Sequence, residues 1–143
     1  VQDPGNVGAL VRSAAAFGYD AVLLGGACAD PFSPKTLRAS MGACGRLPLA
    51  KVPVLADGLA GLRAAGITCL AAALYNSRPL DAFDPARPGG VCLVIGSEGQ
   101  GLTDAAIAAC DAAVRIPISP LVESLNASVA GSVLLWHFRR GGV

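Results

Sequence analysis

Residues 91–102 read Val-Cys-Leu-Val-Ile-Gly-Ser-Glu-Gly-Gln-Gly-Leu. The apolar run 91–95 is short, rich in β-branched residues and closed abruptly by glycines at 96, 99 and 101. That is the pattern of a strand covered on both faces, ending in a loop whose backbone a ligand can approach closely. Thr103 follows as the cap of a short helix. A strand covered on both faces implies a parallel sheet with helices packed on it, and in such sheets ligands sit at the carboxyl ends of the strands.

The rest of the chain repeats this alternation. Strand-like pieces stand at 21–24, 49–54, 67–72 and 113–116. Helix-like pieces stand at 6–17, with Asn6 as cap and Gly18 as stop, and at 34–41, opened by Ser33-Pro34. A short Ala/Leu helix is capped by Asp57 and ended by Gly66. The last helix, 125–138, is apolar on nearly every face and is expected to be buried on most sides. Residues 75–90 are the longest irregular stretch. The expected fold class is α/β, a mostly parallel sheet flanked by helices.

Composition narrows the function. At 143 residues and 53% hydrophobic, the chain reads as one domain with a substantial core. Its 15% charged residues are too few for disorder, and no apolar run approaches the ~20 residues of a membrane span. A net charge of +1 lacks the electrostatic footprint of a stand-alone nucleic-acid binder, and 5% aromatic content offers no platform for stacking bases. The five cysteines (28, 44, 69, 92 and 110) are widely spaced, with no Cys-x-x-Cys and a single histidine. This argues against a metal site and for buried, reduced thiols in a cytoplasmic protein. The opening Val1-Gln2-Asp3-Pro4 is a turn, not a secretory leader, and the missing initiator Met points to an excised domain or truncated chain.

Three segments carry polar groups in this apolar background. In 6–12, Asn6 and Arg12 read either as a cap and a surface cation or as a site in which Arg12 meets a phosphate or a developing oxyanion. In 96–101, Glu98 sits among three glycines; only one other glutamate, Glu123, exists. The loop is neither Gly-x-Gly-x-x-Gly nor a P-loop, so it is a plain turn or a site of another kind. In 116–130, Ser124 and Asn126 stand where the last helix begins, as caps or, with its free N–H groups, as donors to a polar ligand.

Taken in order, Asn6-x-Gly8-x-x-x-Arg12, then Ile95-Gly96-x-Glu98-Gly99-x-Gly101-Leu102, then Ile116-Pro117 followed by Glu123-Ser124-Leu125-Asn126-x-Ser128-x-Ala130, the motifs resemble those of one family. It is the catalytic domain of the SpoU (TrmH-like) RNA 2′-O-ribose methyltransferases, of the SPOUT class, and the resemblance covers about residues 2–138. It implies an α/β knot with a deep C-terminal trefoil, an exception to the rule against knots. It implies S-adenosyl-L-methionine held at Gly96, Ile116 and Leu125, and Asn6, Arg12, Glu98, Ser124 and Asn126 as catalytic or site-building residues. It further implies a structured RNA substrate, no metal, and a homodimer through the last helix. There, Ala127, Ala130 and Gly131 would allow close approach, and Leu134, Trp136 and Phe138 would supply apolar area. Relatives usually have a strand just ahead of the Asn motif, and many an RNA-binding domain ahead of that; neither is in these residues. The segment Leu37-Arg38-Ala39-Ser40-Met41-Gly42-Ala43 looks more like ribosomal-RNA members than transfer-RNA ones.

The implied reaction moves a sulfonium methyl to a ribose 2′-hydroxyl, so the site must align the two and stabilise an oxyanion. A guanidinium with a pKa above ~12 is a poor base, so Arg12 is expected to act electrostatically. Two other readings compete. A base-methylating SPOUT enzyme is disfavoured by the Asn6–Arg12 motif, and a non-catalytic RNA- or nucleotide-binding knot domain by the intact polar set. His137, Arg139 and Arg140 read as helix-terminal groups, Trp136 and Met41 as core or dimer contacts.

Overall fold

A computed structural model describes residues 1–86 and 88–141. In chain order the elements are α1 (Pro4–Ala16), β1 (Val22–Gly25), α2 (Pro34–Ser40), β2 (Leu49–Val52), α3 (Leu55–Ala64), β3 (Thr68–Ala72), β4 (Arg78–Pro79), β5 (Val91–Val94), α4 (Asp104–Ala108), β6 (Ala112–Arg115) and α5 (Ala127–His137). Every strand pairing is parallel. β1 pairs with β2, and the remaining strands form a sheet in the order β4-β6-β3-β5. β3 lies between β5 and β6, and its Cys69, Leu70 and Ala71 are sealed from solvent, as an inner strand requires. The α/β class and the parallel sheet agree with the sequence reading, but β5 is an edge strand with only Val94 buried, not the fully covered strand that its apolar run predicts, because β3 takes the inner position.

Several boundaries shift for local reasons. α1 starts at Pro4, the position where a missing N–H costs nothing, and Asp3 is its cap: Asp3 Oδ2 accepts the Asn6 amide at 2.8 Å. Asn6 therefore lies in the first turn and its side chain is free for other work. β2 stops at Val52 because Pro53 has no N–H for a ladder. α3 begins at Leu55, leaving Asp57 in its first turn rather than capping it. Thr103 caps α4 and Ser33 caps α2 as expected. The irregular stretch contains the short β4, a 3-10 turn at Leu80–Ala82, and the buried Phe83.

Packing fixes the helices. Val7 and Val11 of α1 meet Leu24, Ala43 and Cys44 in one cluster. Leu59, Cys69, Ala71, Val94 and Cys110 form a second. Leu70, Phe83, Val114, Leu134 and Phe138 form a third that pins α5 to the sheet, with the Phe83 and Phe138 rings edge-on at 6.2 Å. Each fully buried leucine here contributes about 1.5–3 kcal/mol relative to an exposed one. Gly8 packs α1 onto α2: a Cβ there would stand 2.5 Å from the Thr36 carbonyl oxygen and 2.7 Å from the Ala39 Cβ. The glycine of the Asn-x-Gly motif is thus a helix-contact residue.

α5 corrects an expectation. Its Gly131, Leu134 and Leu135, with Phe138 just beyond, face the protein's own core, so Leu134 and Phe138 are not available to a partner. The outward stripe is Val129, Val133 and Trp136, the last 53% exposed. Met41 is 71% exposed and so is no core residue. All five cysteines are free thiols, and Cys44, Cys69 and Cys110 are buried. Burial, then neighbouring thiols, pushes Cys92 up to about 12 and Cys110 up to about 11. Among the described residues no helix is long and apolar enough to cross a membrane.

Candidate active site

The first and second motifs meet. Asn6 Nδ2 donates to Glu98 Oε1 at 2.8 Å, and the same carboxylate accepts the Gln2 amide at 3.1 Å and the Asp3 amide at 3.3 Å. The opening of α1 is thereby tied to the loop after β5. Slight burial raises the Glu98 pKa, but the hydrogen bonds from Asn6 and the two amides outweigh it and bring the group from 4.5 to about 2. Glu98 is a fixed anion and acceptor at neutral pH, not a proton carrier.

Its loop is closed by a backbone bridge. Ser97 and Gly101 exchange both backbone hydrogen bonds, at 3.1 and 3.0 Å. Gly96 lies flat against this bridge: a Cβ would stand 2.3 Å from the Gly101 carbonyl carbon, so only glycine fits.

The third motif opens α5. Asn126 is the cap: its Oδ1 accepts the Ser128 amide at 2.9 Å, the Val129 amide at 3.3 Å and the Ser128 hydroxyl at 2.7 Å. Its Nδ2 has no protein acceptor among the described residues. Leu125, half-buried, precedes it, and Ile116 packs on the third core cluster just after β6. Ser124 is exposed in the connecting loop. α5 is held against α1 by the Ser13–Ser132 hydroxyl pair at 2.7 Å and by the side chain of Leu10 seated against Gly131.

Arg12 does not join this cluster within one chain. Six residues beyond Asn6, it lies about 120° around α1 from it, exposed and on the side that faces α2.

Two contributors escaped the sequence reading. Because β3 lies between β5 and β6, its own carboxyl-end loop lies between the loops that hold Gly96 and Ile116. That loop carries Leu74 and Tyr75, the latter 82% exposed, while Leu121, 90% exposed, projects from the loop after Ile116. Strand order is a tertiary fact, and nothing local announced it. The second is Asp3, which caps α1, donates its amide to Glu98 and pairs with Lys35 at 3.0 Å. The Asp-Pro dipeptide ahead of a helix was a usable signal for it.

Three loops therefore converge at the carboxyl edge of adjacent parallel strands, with exposed apolar side chains and one anchored carboxylate. In parallel α/β sheets such a strand-end edge is where ligands bind. Among the described residues no group of three or more His, Cys, Asp or Glu is arranged to hold a metal ion.

Residues 1–136 match the SpoU rRNA methylase family, and the chain belongs to it. It is 36% identical to the 23S rRNA (guanosine(2553)-2′-O)-methyltransferase RlmP of Bacillus subtilis over 141 residues, 97% of this chain and 55% of that protein. Among solved structures, an S-adenosylmethionine-bound rRNA methyltransferase from Sinorhizobium meliloti superposes with a TM-score of 0.91 at 34% identity, covering 99% of this chain and 53% of that one. The SpoU methyltransferase AviRb from Streptomyces viridochromogenes, also solved with that cofactor, gives 0.85 at 34% identity over 96% of this chain and 55% of that one. The chain spans about half the length of the curated relatives it matches.

Proposed function

We propose that this chain is the catalytic domain of an RNA 2′-O-ribose methyltransferase acting on ribosomal RNA with S-adenosylmethionine as donor. The observation that carries the reading is the Asn6–Glu98 contact, which joins the two motif segments at the edge where the three strand-end loops converge. The bound cofactor supplies an electrophilic methyl on a sulfonium that is its own leaving group, so the chemistry draws on no metal. Gly96, Ile116 and Leu125 hold it through backbone groups and apolar contact. Glu98, fixed by Asn6 and two amides, keeps the loop in place. Asn126 directs its free Nδ2, and Ser124 its hydroxyl, toward the ribose. Arg12 binds the 2′-oxygen as it gains negative charge, with a neighbouring phosphate as proton acceptor.

A twofold homodimer belongs to this reading. Arg12 lies about 120° around α1 from Asn6 and away from the cluster, so in this reading a second chain brings the guanidinium to it. The uncovered stripe of Val129, Val133 and Trp136 on α5 supplies apolar area for it. A C-terminal trefoil knot and a cytoplasmic location are further parts of the proposal, drawn from the family. So is a strand ahead of Val1. β1 and β5 each leave an edge unpaired, and Val1–Asp3 lies between their carboxyl-end loops, which supports a strand joining the two sheets.

The test is transfer of labelled methyl from S-adenosylmethionine to total RNA from a strain lacking the enzyme, followed by mapping of the product. Label on a ribose 2′-oxygen of ribosomal RNA is expected. Label on a base, or none beside measurable RNA binding, overturns the reading in favour of a base methylase or a binding domain.

A further inference from the structure

The near-zero net charge conceals a segregation. No Asp or Glu stands between Pro31 and Ala56, whereas Lys35, Arg38, Arg46 and Lys51 all do. Elsewhere the described cations are engaged, save one. Arg63 pairs with Asp111 at 2.9 Å and Arg140 with Asp20 at 3.1 Å. Arg78 lies over the Phe83 ring, Arg139 over the Trp136 ring, and Arg115 donates to the Ser77 carbonyl. Lys35 is held by Asp3. Arg12, Arg38, Arg46 and Lys51 are exposed and have no ion-pair partner among the described residues. Among the described residues, the cations left unengaged are therefore Arg12 and three residues of the acid-free segment.

Their placement is continuous with the site. α2 buries Thr36 and Ser40, so its helical repeat turns Pro34, Leu37 and Arg38 outward, with Met41 just past its end. Met41 is held in the left-handed region at φ 51°, where a long side chain is strained, and it is presented to solvent beside exposed Leu37. Phe32, ahead of α2, is 61% exposed. Arg12 stands one turn beyond Gly8, which touches the Thr36–Ser40 face of α2, so it leaves α1 near the seam between the two helices. Lys51 stands on the wall of a cleft of about 220 Å³ at the carboxyl ends of β1 and β2, with Gly25, Gly26 and Pro31. Ala29, on the same wall, donates its amide to the Val1 carbonyl at 3.2 Å, and the amides of Gln2 and Asp3 donate to Glu98.

We infer that the exposed cations of the acid-free segment carry the phosphate backbone of the RNA substrate toward Arg12. Arg38, Arg46 and Lys51 pair with phosphates, while Phe32, Leu37 and Met41 cover sugar or base faces. The inference rests on the RNA-methyltransferase reading and adds the face from which the substrate arrives. Unpaired cations interleaved with exposed apolar side chains, running into the site, fit a polyanion whose reacting sugar must end there.

The test combines Arg38→Gln, Arg46→Gln and Lys51→Gln in the full chain. A control carries Arg63→Gln and Arg140→Gln, which remove paired cations elsewhere. Binding to 23S rRNA transcribed in vitro is measured from about 50 to 200 mM salt, with S-adenosylmethionine affinity measured by calorimetry. Each phosphate left without its cation lowers the slope of log K against log salt by about 0.7–0.9. The triple variant should lose about 2–3 from that slope and bind about tenfold or more weakly, with cofactor affinity and circular dichroism unchanged. A wild-type slope in the triple variant, or an equal loss per charge in the control, overturns the surface and leaves the functional reading intact. Failure of the wild-type chain to methylate any RNA overturns that reading, and the surface with it.

Discussion

Asn6 and Glu98 are 92 residues apart in sequence, and a 2.8 Å hydrogen bond joins their side chains. The bond ties the start of α1 to the loop after β5. Asn6 is available for it only because Asp3, not Asn6, caps the helix.

Glu98 should tie stability to acid. Its folded-state pKa of about 2 lies below the ordinary 4.5, so its contribution is complete above about pH 5 and is lost as pH falls toward 2. The group is exposed, so the contribution is below about 1 kcal/mol. Glu98→Gln places an amide opposite two backbone donors and removes the ionisation. Urea midpoints of wild type and variant should differ most at neutral pH and converge as pH falls from about 5 toward 2. A constant gap across that range would show that the carboxylate's charge is not what holds the loop.

Arg12→Lys keeps a cation but loses the planar fork. Under the proposed mechanism, methyl transfer falls by about 10²-fold, as for loss of an oxyanion donor, while cofactor affinity measured by calorimetry barely moves. Normal turnover in the lysine variant would remove Arg12 from the transition state.

Asn126→Ala strips three hydrogen bonds from the start of α5. Loss of such a cap costs about 1 kcal/mol, or roughly 3 °C in thermal midpoint for a chain of this size. Asn126→Ser restores the cap but not the amide donor. If the free Nδ2 serves the ribose, the serine variant should recover stability and not turnover. Recovery of both would reduce Asn126 to a cap.

Two substitutions on α5 should part company. Leu134 is 1% exposed within its own chain, so Leu134→Glu buries an unpaired charge and should unfold the protein. Val133 faces outward, so Val133→Glu should keep native circular dichroism and sediment as a monomer. Wild-type protein that is itself monomeric at micromolar concentration, or a Val133→Glu dimer, would exclude this helix face as the interface.

Native thiol chemistry should be slow. With Cys92 at about 12 and Cys110 at about 11, a thiolate fraction of about one in a thousand or less is present at pH 8. Ellman's reagent should titrate the half-buried Cys28 promptly, and the other thiols only on unfolding. Prompt reaction of all five would mean that the core opens readily.

Local chemistry made much of this protein legible in its sequence. The β-branched run at 91–95 and the glycines after it set a parallel strand and the turn that closes it, because side-chain shape and backbone freedom are properties of the residues themselves; strand order, not the run, left β5 at a sheet edge with only Val94 buried. The ordered motifs carried the family, and a parallel α/β core followed from strands too apolar to face water. What the tertiary structure decided were the relationships that no residue owns alone. It chose Asp3 over Asn6 as cap, because Pro4 moved the helix start and freed Asn6 for Glu98. It put β3 between β5 and β6, and so brought Leu74 and Tyr75 to the site's edge. It turned Leu134 and Phe138 inward and Val133 and Trp136 outward on a helix whose sequence is apolar all round. An apolar helix does not by its pattern choose which face to bury; the neighbour against which it packs makes that choice, and here the neighbours are the sheet and α1.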